Sequence, residues 1–328
     1  MGGRRIMQAF AIPGRSLWAT ALLLLSSLVH AQVVRTADAD VRGFRASDFP
    51  RLTQLADNVY AYEDLMGELG TSFAFTTNSL IVVTDQGVLV ADGQGSVAKT
   101  KRMVAEIAKL TTQPIRYVVI CADHMDHIAG NSAFPAGVTF IAHPTSKAVI
   151  ERAAARLAQN GAAPIPVPQE TVADKRTITL GGIEMQVLFL GRAHTGGDLQ
   201  VYLPRHDLLF MSEVFFNRLY PSVGGTKSAH PIEWIETIRR SEALNARHVV
   251  PGHGFVDSPA VLKEELVAFR RSLENLVAES RRLRDAKVPV EAAPRSINLG
   301  EFQYWYRAVN NVPDAIAQVY LELDGKLN

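Results

Sequence analysis

The stretch Cys121-Ala122-Asp123-His124-Met125-Asp126-His127-Ile128-Ala129-Gly130-Asn131 constrains this chain more than any other. It follows Arg116 to Cys121, where Val118, Val119 and Ile120 stand in a row, the pattern of a buried strand. Two imidazoles and one or two carboxylates crowd the loop that leaves that strand. Such a density of nitrogen and oxygen donors is what a zinc or iron site needs, and a loop at a strand end can aim alternate side chains at one point. Gly130 is expected to let the backbone turn closely into the next element.

Three more segments end in groups of the same kind: His194 in Gly191-Arg192-Ala193-His194-Thr195-Gly196-Gly197-Asp198, Glu213 after Leu208-Leu209-Phe210-Met211-Ser212, and His253 in Val249-Val250-Pro251-Gly252-His253-Gly254. Each follows or closes an expected strand, and strand ends gathered on one edge are where a ligand site forms.

The order of elements fits that picture. Strands are expected over 58–62, 72–75, 79–83 and 87–91, an amphipathic helix over 97–110, and strands at 116–121 and 139–142. A short helix is expected from near His127, and a longer one over 144–158. After a Pro-rich loop at 160–169 come strands over 176–180, 183–190, 199–203 and 208–211, a helix over 231–243 and a last strand over 248–250. Strands and helices, a crossover, then strands and helices again describe an α+β chain with two sheets face to face and helices outside. The last seventy or so residues read as helical, with the charged helix 260–286 first, and no repeat of fixed short period is present.

With 34 Lys+Arg against 33 Asp+Glu and 47% hydrophobic residues, this is globular composition, with no basic run in its body to suggest nucleic acid or an anionic membrane surface. A small-molecule substrate is the partner expected. Arg4, Arg5 and Arg15 precede an apolar run from Leu17 to Val29 that closes on Ala31, so residues 1–31 read as a signal peptide and the mature chain as exported, to the periplasm, without stable membrane insertion. The single cysteine, Cys121, excludes an intramolecular disulfide and is expected to pack as a small buried hydrophobe.

Taken together, His-x-Asp-His with Gly130-Asn131, then His-Thr-x-Gly-Asp, a carboxylate after Leu-Phe, and Pro-Gly-His-Gly resemble the metallo-β-lactamase superfamily over roughly 50–258. The resemblance implies a four-layer αββα sandwich, followed here by a helical C-terminal extension at 259–328, and a metal site at the sheet edges with metal-activated water as nucleophile. It assigns His124, Asp126, His127, His194, Glu213 and His253 as metal ligands and Asp126 as the catalytic residue that also orients the water. The family's usual first motif is His-x-His-x-Asp-His, and Ala122 stands where its first histidine belongs. Only His124 and His194 then remain for the first metal position, against Asp126, His127 and His253 for the second, with Glu213 where the family has a bridging Asp or, in some members, Cys. One tightly bound ion is therefore expected, zinc with iron or manganese as alternatives, and a second that is weak or absent.

Other residues have plainer readings. His143, His206, His230 and His248 are expected at the surface or hydrogen-bonded. Asp92 is expected to orient a ligand histidine or to cap the turn at Gly93, and Asp123 is a minor candidate for the missing ligand. The aromatic group Phe302-Tyr304-Trp305-Tyr306 reads as helix packing, with the pocket entrance as the alternative. The function expected is hydrolysis of an ester, thioester, lactone or amide bond, a β-lactam included. The rival is a non-catalytic, metal-poor binding protein that keeps the fold, for which Ala122 is the one supporting residue.

Overall fold

The computed structural model describes residues 1–3, 34–160, 164–223 and 228–327. The apolar run of the expected signal peptide, with His30, lies outside the described residues. The chain enters through β1 (Arg51–Ala56), β2 (Val59–Leu65), β3 (Thr76–Thr84) and β4 (Gly87–Ala91), then α1 (Val97–Leu110), β5 (Ile115–Ile120), the single turn α2 (Met125–Ile128), β6 (Thr139–Ala142) and α3 (Pro144–Gln159). The second run holds β7 (Glu170–Thr171), β8 (Lys175–Leu180), β9 (Ile183–Phe189), β10 (Leu199–Leu203), β11 (Leu208–Phe216), α4 (Pro231–Ala243) and β12 (His248–His253). Two long helices close the chain, α5 (Pro259–Asp285) and α6 (Ala308–Leu323).

Alternation along the strands builds the layers. Ile81, Val88, Val90, Val118 and Ile120 face one way and pack with Met103 and Ile107 of α1 and Ile150 of α3. Their neighbours Leu80, Val82, Leu89, Ala91 and Val119 face the other way and share a core with Met185, Val187, Leu199, Val201 and Phe210 of the second run, which also takes in Trp234, Leu266, Phe269 and Ile316 of the last helices. A period of two puts successive side chains on opposite faces, so each half-sheet is covered by helices outside and by the other half inside. This is the αββα sandwich, and the C-terminal helices are part of its core cluster.

Hydrogen bonding nevertheless joins the halves into one path, β7-β6-β5-β4-β3-β12-β11-β10-β9-β8. The seam between β3 and β12 is the pair Thr77–His253, where the two runs meet in antiparallel register. One candidate ligand thus sits on the seam itself.

Three expectations change. The last strand, expected over 248–250, runs on to His253. The strand expected at 72–75 is a hairpin tip, because Gly67 N–H donates to Phe73 O (2.8 Å) and Gly70 turns with φ 77° before β3 begins at Thr76. The strand expected over 208–211 continues to Phe216, with every residue of β11 buried. Among the described residues no helix is long and apolar enough to cross a membrane.

Candidate metal centre

The loop after β5 is held from below before it presents anything. Asp92, at the end of β4 in a left-handed conformation (φ 63°), is fully buried and accepts from Cys121 N–H (2.7 Å), Ala122 N–H (3.4 Å) and Ser212 Oγ–H (2.5 Å). Its Oδ2 also lies 3.2 Å from His127 Nδ1. That contact fixes the tautomer, leaving Nε2 of His127 as the free donor atom. Asp92 is therefore the orienting residue rather than a cap for Gly93. Gly130 has an ordinary φ of −88°, and what it allows is close approach: a Cβ there would stand 2.1 Å from Thr100 Oγ1 and 2.3 Å from Ser96 O. The helix carrying Asp126 and His127 is seated against the start of α1 in this way.

The other donors are positioned with similar economy. His253 Nδ1 pairs with Thr76 O at 2.9 Å, which turns Nε2 inward. Asp198 accepts from Ala193 N–H (3.2 Å), Thr195 N–H (2.7 Å) and Thr195 Oγ–H (2.9 Å), so it closes the loop that carries His194. Burial pushes the Asp198 carboxyl up to about 7, against the Thr195 hydrogen bonds that favour its charged form. The His194 ring rests on Phe216 (5.2 Å between centroids) and Trp234 (5.3 Å). Gly252 lets β12 close on β11 beside Glu213, since a Cβ there would lie 2.9 Å from Glu213 N.

These supports bring the six expected ligands together in two groups. Asp126, His127, Glu213 and His253 each place one donor atom within 4.8 Å of all the others, and His124, His194 and Glu213 do the same. Glu213 belongs to both. Its Oε1 is 3.1 Å from His253 Nε2, 3.3 Å from His194 Nε2 and 3.6 Å from His127 Nε2, while Oε2 is 3.1 Å from His124 Nδ1. Glu213 thus stands as a third donor beside His124 and His194, because its carboxylate lies within reach of both groups. Asp123 is in neither group and bonds Ser146 instead. Cys121 is buried in the core, as expected.

Electrostatics point to a cation here. Glu213 is 2% exposed, and among the described residues no Lys or Arg pairs with Glu213 or Asp126. Buried carboxylates need a compensating positive charge. Burial works against charge on His124, but Glu213 outweighs it and raises its pKa to about 9. For His194 burial wins, and the pKa falls to about 3. Burial would raise Glu213, but the surrounding imidazoles hold it well below the usual carboxylate range. Among the described residues His194 Nδ1 is buried with no hydrogen-bond partner. A nest of nitrogen and oxygen donors, two of them carboxylates, fits a borderline divalent ion such as zinc.

Two of the remaining histidines have structural work. His143 caps α3, its Nδ1 accepting from Thr145 N–H (3.2 Å), and stacks on Phe189 at 4.2 Å. His230 is buried at the start of α4 and donates its N–H to Ala193 O (2.8 Å). Ser212 was not singled out by the sequence, although Ser-Glu breaking an otherwise apolar run from Leu208 to Phe216 is a visible signal. Its φ of 47° and its bond to Asp92 set the strand just before Glu213.

Residues 73–253 match the family model of the metallo-beta-lactamase superfamily. A metallo-beta-lactamase type 2 of Bacteroides fragilis is 25% identical over 263 residues, covering 80% of this chain and 98% of that protein. A linear primary-alkylsulfatase of a Pseudomonas species is 24% identical over 58% of this chain and 44% of its own length. Among solved structures, a metallo-beta-lactamase from Pontibacter korlensis superposes with a TM-score of 0.55 at 24% identity, over 67% of this chain and 98% of that one, a likeness of fold.

Proposed function

The chain belongs to the metallo-beta-lactamase superfamily, and from that premise we propose that it is an exported hydrolase that uses metal-activated water on an ester, thioester, lactone or amide bond of a small molecule. At the level of the superfamily it is a metal-dependent hydrolase. The observation that carries the finer reading is the reach of Glu213 into both donor groups. It gives the position weakened by Ala122 a third donor, which supports the hydrolase reading over a non-catalytic, metal-poor binder.

In this reading Asp126, His127, Glu213 and His253 hold the tighter ion, and His124 and His194 share Glu213 at a weaker position. A bound ion supplies Lewis acidity and brings the pKa of water to about 7. The protein's own groups do the rest. Asp126, with a side chain 15% exposed, is the most open donor of its group, and its carboxylate would orient the attacking water as well as hold the ion. Asp92 and the Thr76 carbonyl keep His127 and His253 in the tautomers that present Nε2. Phe75, Phe216 and Trp234 pack against the imidazoles and keep bulk water from behind them.

The names of the relatives span an amide and a sulfate ester, so the bond type is settled by a panel: a thioester, a lactone, a carboxylic ester, a β-lactam and an alkyl sulfate. Turnover of at least one acyl substrate that is lost with chelator and restored by zinc is the result expected. No turnover on the panel by protein carrying its ion would overturn the proposal.

A further inference from the structure

We propose that Tyr306 and Arg307, arriving from the C-terminal extension, are positioning residues of the site: they strap down the loop 66–75 between β2 and β3 and so hold Phe75 and Thr76 against His253. The inference rests on the reading of His253 as a ligand. Phe75 meets the His253 ring edge to face at 5.4 Å, and Thr76 O pairs with its Nδ1. The pose of this loop therefore sets the direction of the His253 donor atom. The tip of the loop is not held by its own burial, since Phe73 is 43% exposed.

What holds it comes from more than two hundred residues away. Arg307 Nη1 donates to Ser72 O (2.6 Å) and Ser72 Oγ (3.3 Å), and its guanidinium lies 4.1 Å from the centre of the Phe73 ring. Tyr306 Oη–H donates to Thr71 O (3.0 Å), and its ring stands 6.2 Å from Phe75. Among the described residues no carboxylate forms an ion pair with Arg307, so its fork is occupied by the loop and by Asn311 Oδ1 (3.3 Å). Arg307 also adopts a left-handed conformation, φ 61°, which costs a non-glycine residue energy and persists only where surrounding contacts demand it.

The strap has a firm base. Tyr306 makes a parallel bridge to Leu219, just beyond β11, and its carbonyl accepts from Tyr220 N–H (3.0 Å). Arg218 lies over Trp305 at 5.2 Å and is paired with Glu265 of α5. Asn311 Nδ2 donates to Tyr220 O at 2.9 Å. The strand that carries Glu213 and the loop that orients His253 are thereby tied through one short segment of the extension.

The test is amide hydrogen exchange of the full mature protein, wild type against Arg307→Ala and the milder Tyr306→Phe, with zinc affinity and urea unfolding measured on the same samples. Loss of the guanidinium contacts should speed exchange at 67–73 on the order of tenfold, and loss of the hydroxyl severalfold. The unfolding midpoint should stay at the wild-type value while zinc affinity falls severalfold, because His253 Nε2 loses its fixed aim; unchanged zinc affinity beside a loosened loop would overturn the positioning role. On whichever panel substrate the wild type turns over, kcat/KM should fall, and saturating zinc should restore part of it. Unchanged loop exchange in both variants, or faster exchange only in step with global destabilisation, would overturn the strap. The exchange arm needs no substrate, so it decides this proposal even if the panel overturns the hydrolase reading.

Discussion

Replacing Glu213 by aspartate tests the shared carboxylate while keeping its charge. The side chain loses one methylene, so the carboxylate withdraws by about 1.5 Å. In the native site one oxygen stands 3.1 Å from His253 Nε2 and the other 3.1 Å from His124 Nδ1. After withdrawal it can serve one donor group but not both, because a zinc–oxygen bond tolerates only about 2.0–2.2 Å. Loss of an outer partner of a ligand already costs about tenfold to a hundredfold in metal affinity. Loss of a direct donor should cost at least that, or about 1.4–2.7 kcal/mol. The weaker position, left with His124 and His194, should take the loss. Competition with a chromophoric chelator, read beside metal content per chain and circular dichroism, should show one tight equivalent kept and the weaker one gone. Aspartate at 213 with both equivalents bound as in the wild type would refute the bridging geometry.

Three other perturbations follow from particular contacts. Burial raises the Glu63 carboxyl to about 7 from 4.5, against the pull of Arg51 at 3.7 Å. The folded state then keeps a proton that the unfolded chain releases, so stability should fall by ~3 kcal/mol as pH rises from about 4.5 to 7 and level off above; Glu63→Gln should remove that slope in urea titrations, and an unchanged slope would assign it elsewhere. Asp92→Asn keeps the acceptor for Cys121 N–H but removes the charge facing His127, and should weaken zinc binding about tenfold to a hundredfold with little change in melting temperature. His143→Ala should cost about 1–2 kcal/mol through the lost α3 cap and the Phe189 stack while leaving zinc content at the wild-type value; loss of zinc there would mean that His143 serves the site.

Legibility in the sequence followed the range of the forces involved. Helices α1 and α4 lie over the ranges read from the sequence, because periodicity acts within a few residues, and the structure adds the Ser96 cap and the N-terminal Pro231. The set of donors was visible as motifs at strand ends, since each motif is local. The resemblance put Glu213 at the family's bridging position, but that its two oxygens stand 3.1 Å from His253 Nε2 and 3.1 Å from His124 Nδ1 depends on how β11 and β12 meet, which no local pattern records. Gly130 was noticed for the wrong reason: its role is contact with Thr100 and Ser96, which a local reading cannot separate from a turn. The contact of Tyr306 and Arg307 with residues 71–73 spans more than two hundred positions and leaves no local trace.

The most direct test of the central claim is a chelator titration of the purified mature protein that follows metal equivalents and hydrolysis of a panel substrate together, beside Asp126→Ala and His253→Ala. Activity should fall in proportion to loss of the tight equivalent and return with zinc, and both variants should hold no tight ion and turn over nothing. Full activity after the tight equivalent is gone, or tight binding retained by both variants, would contradict the account.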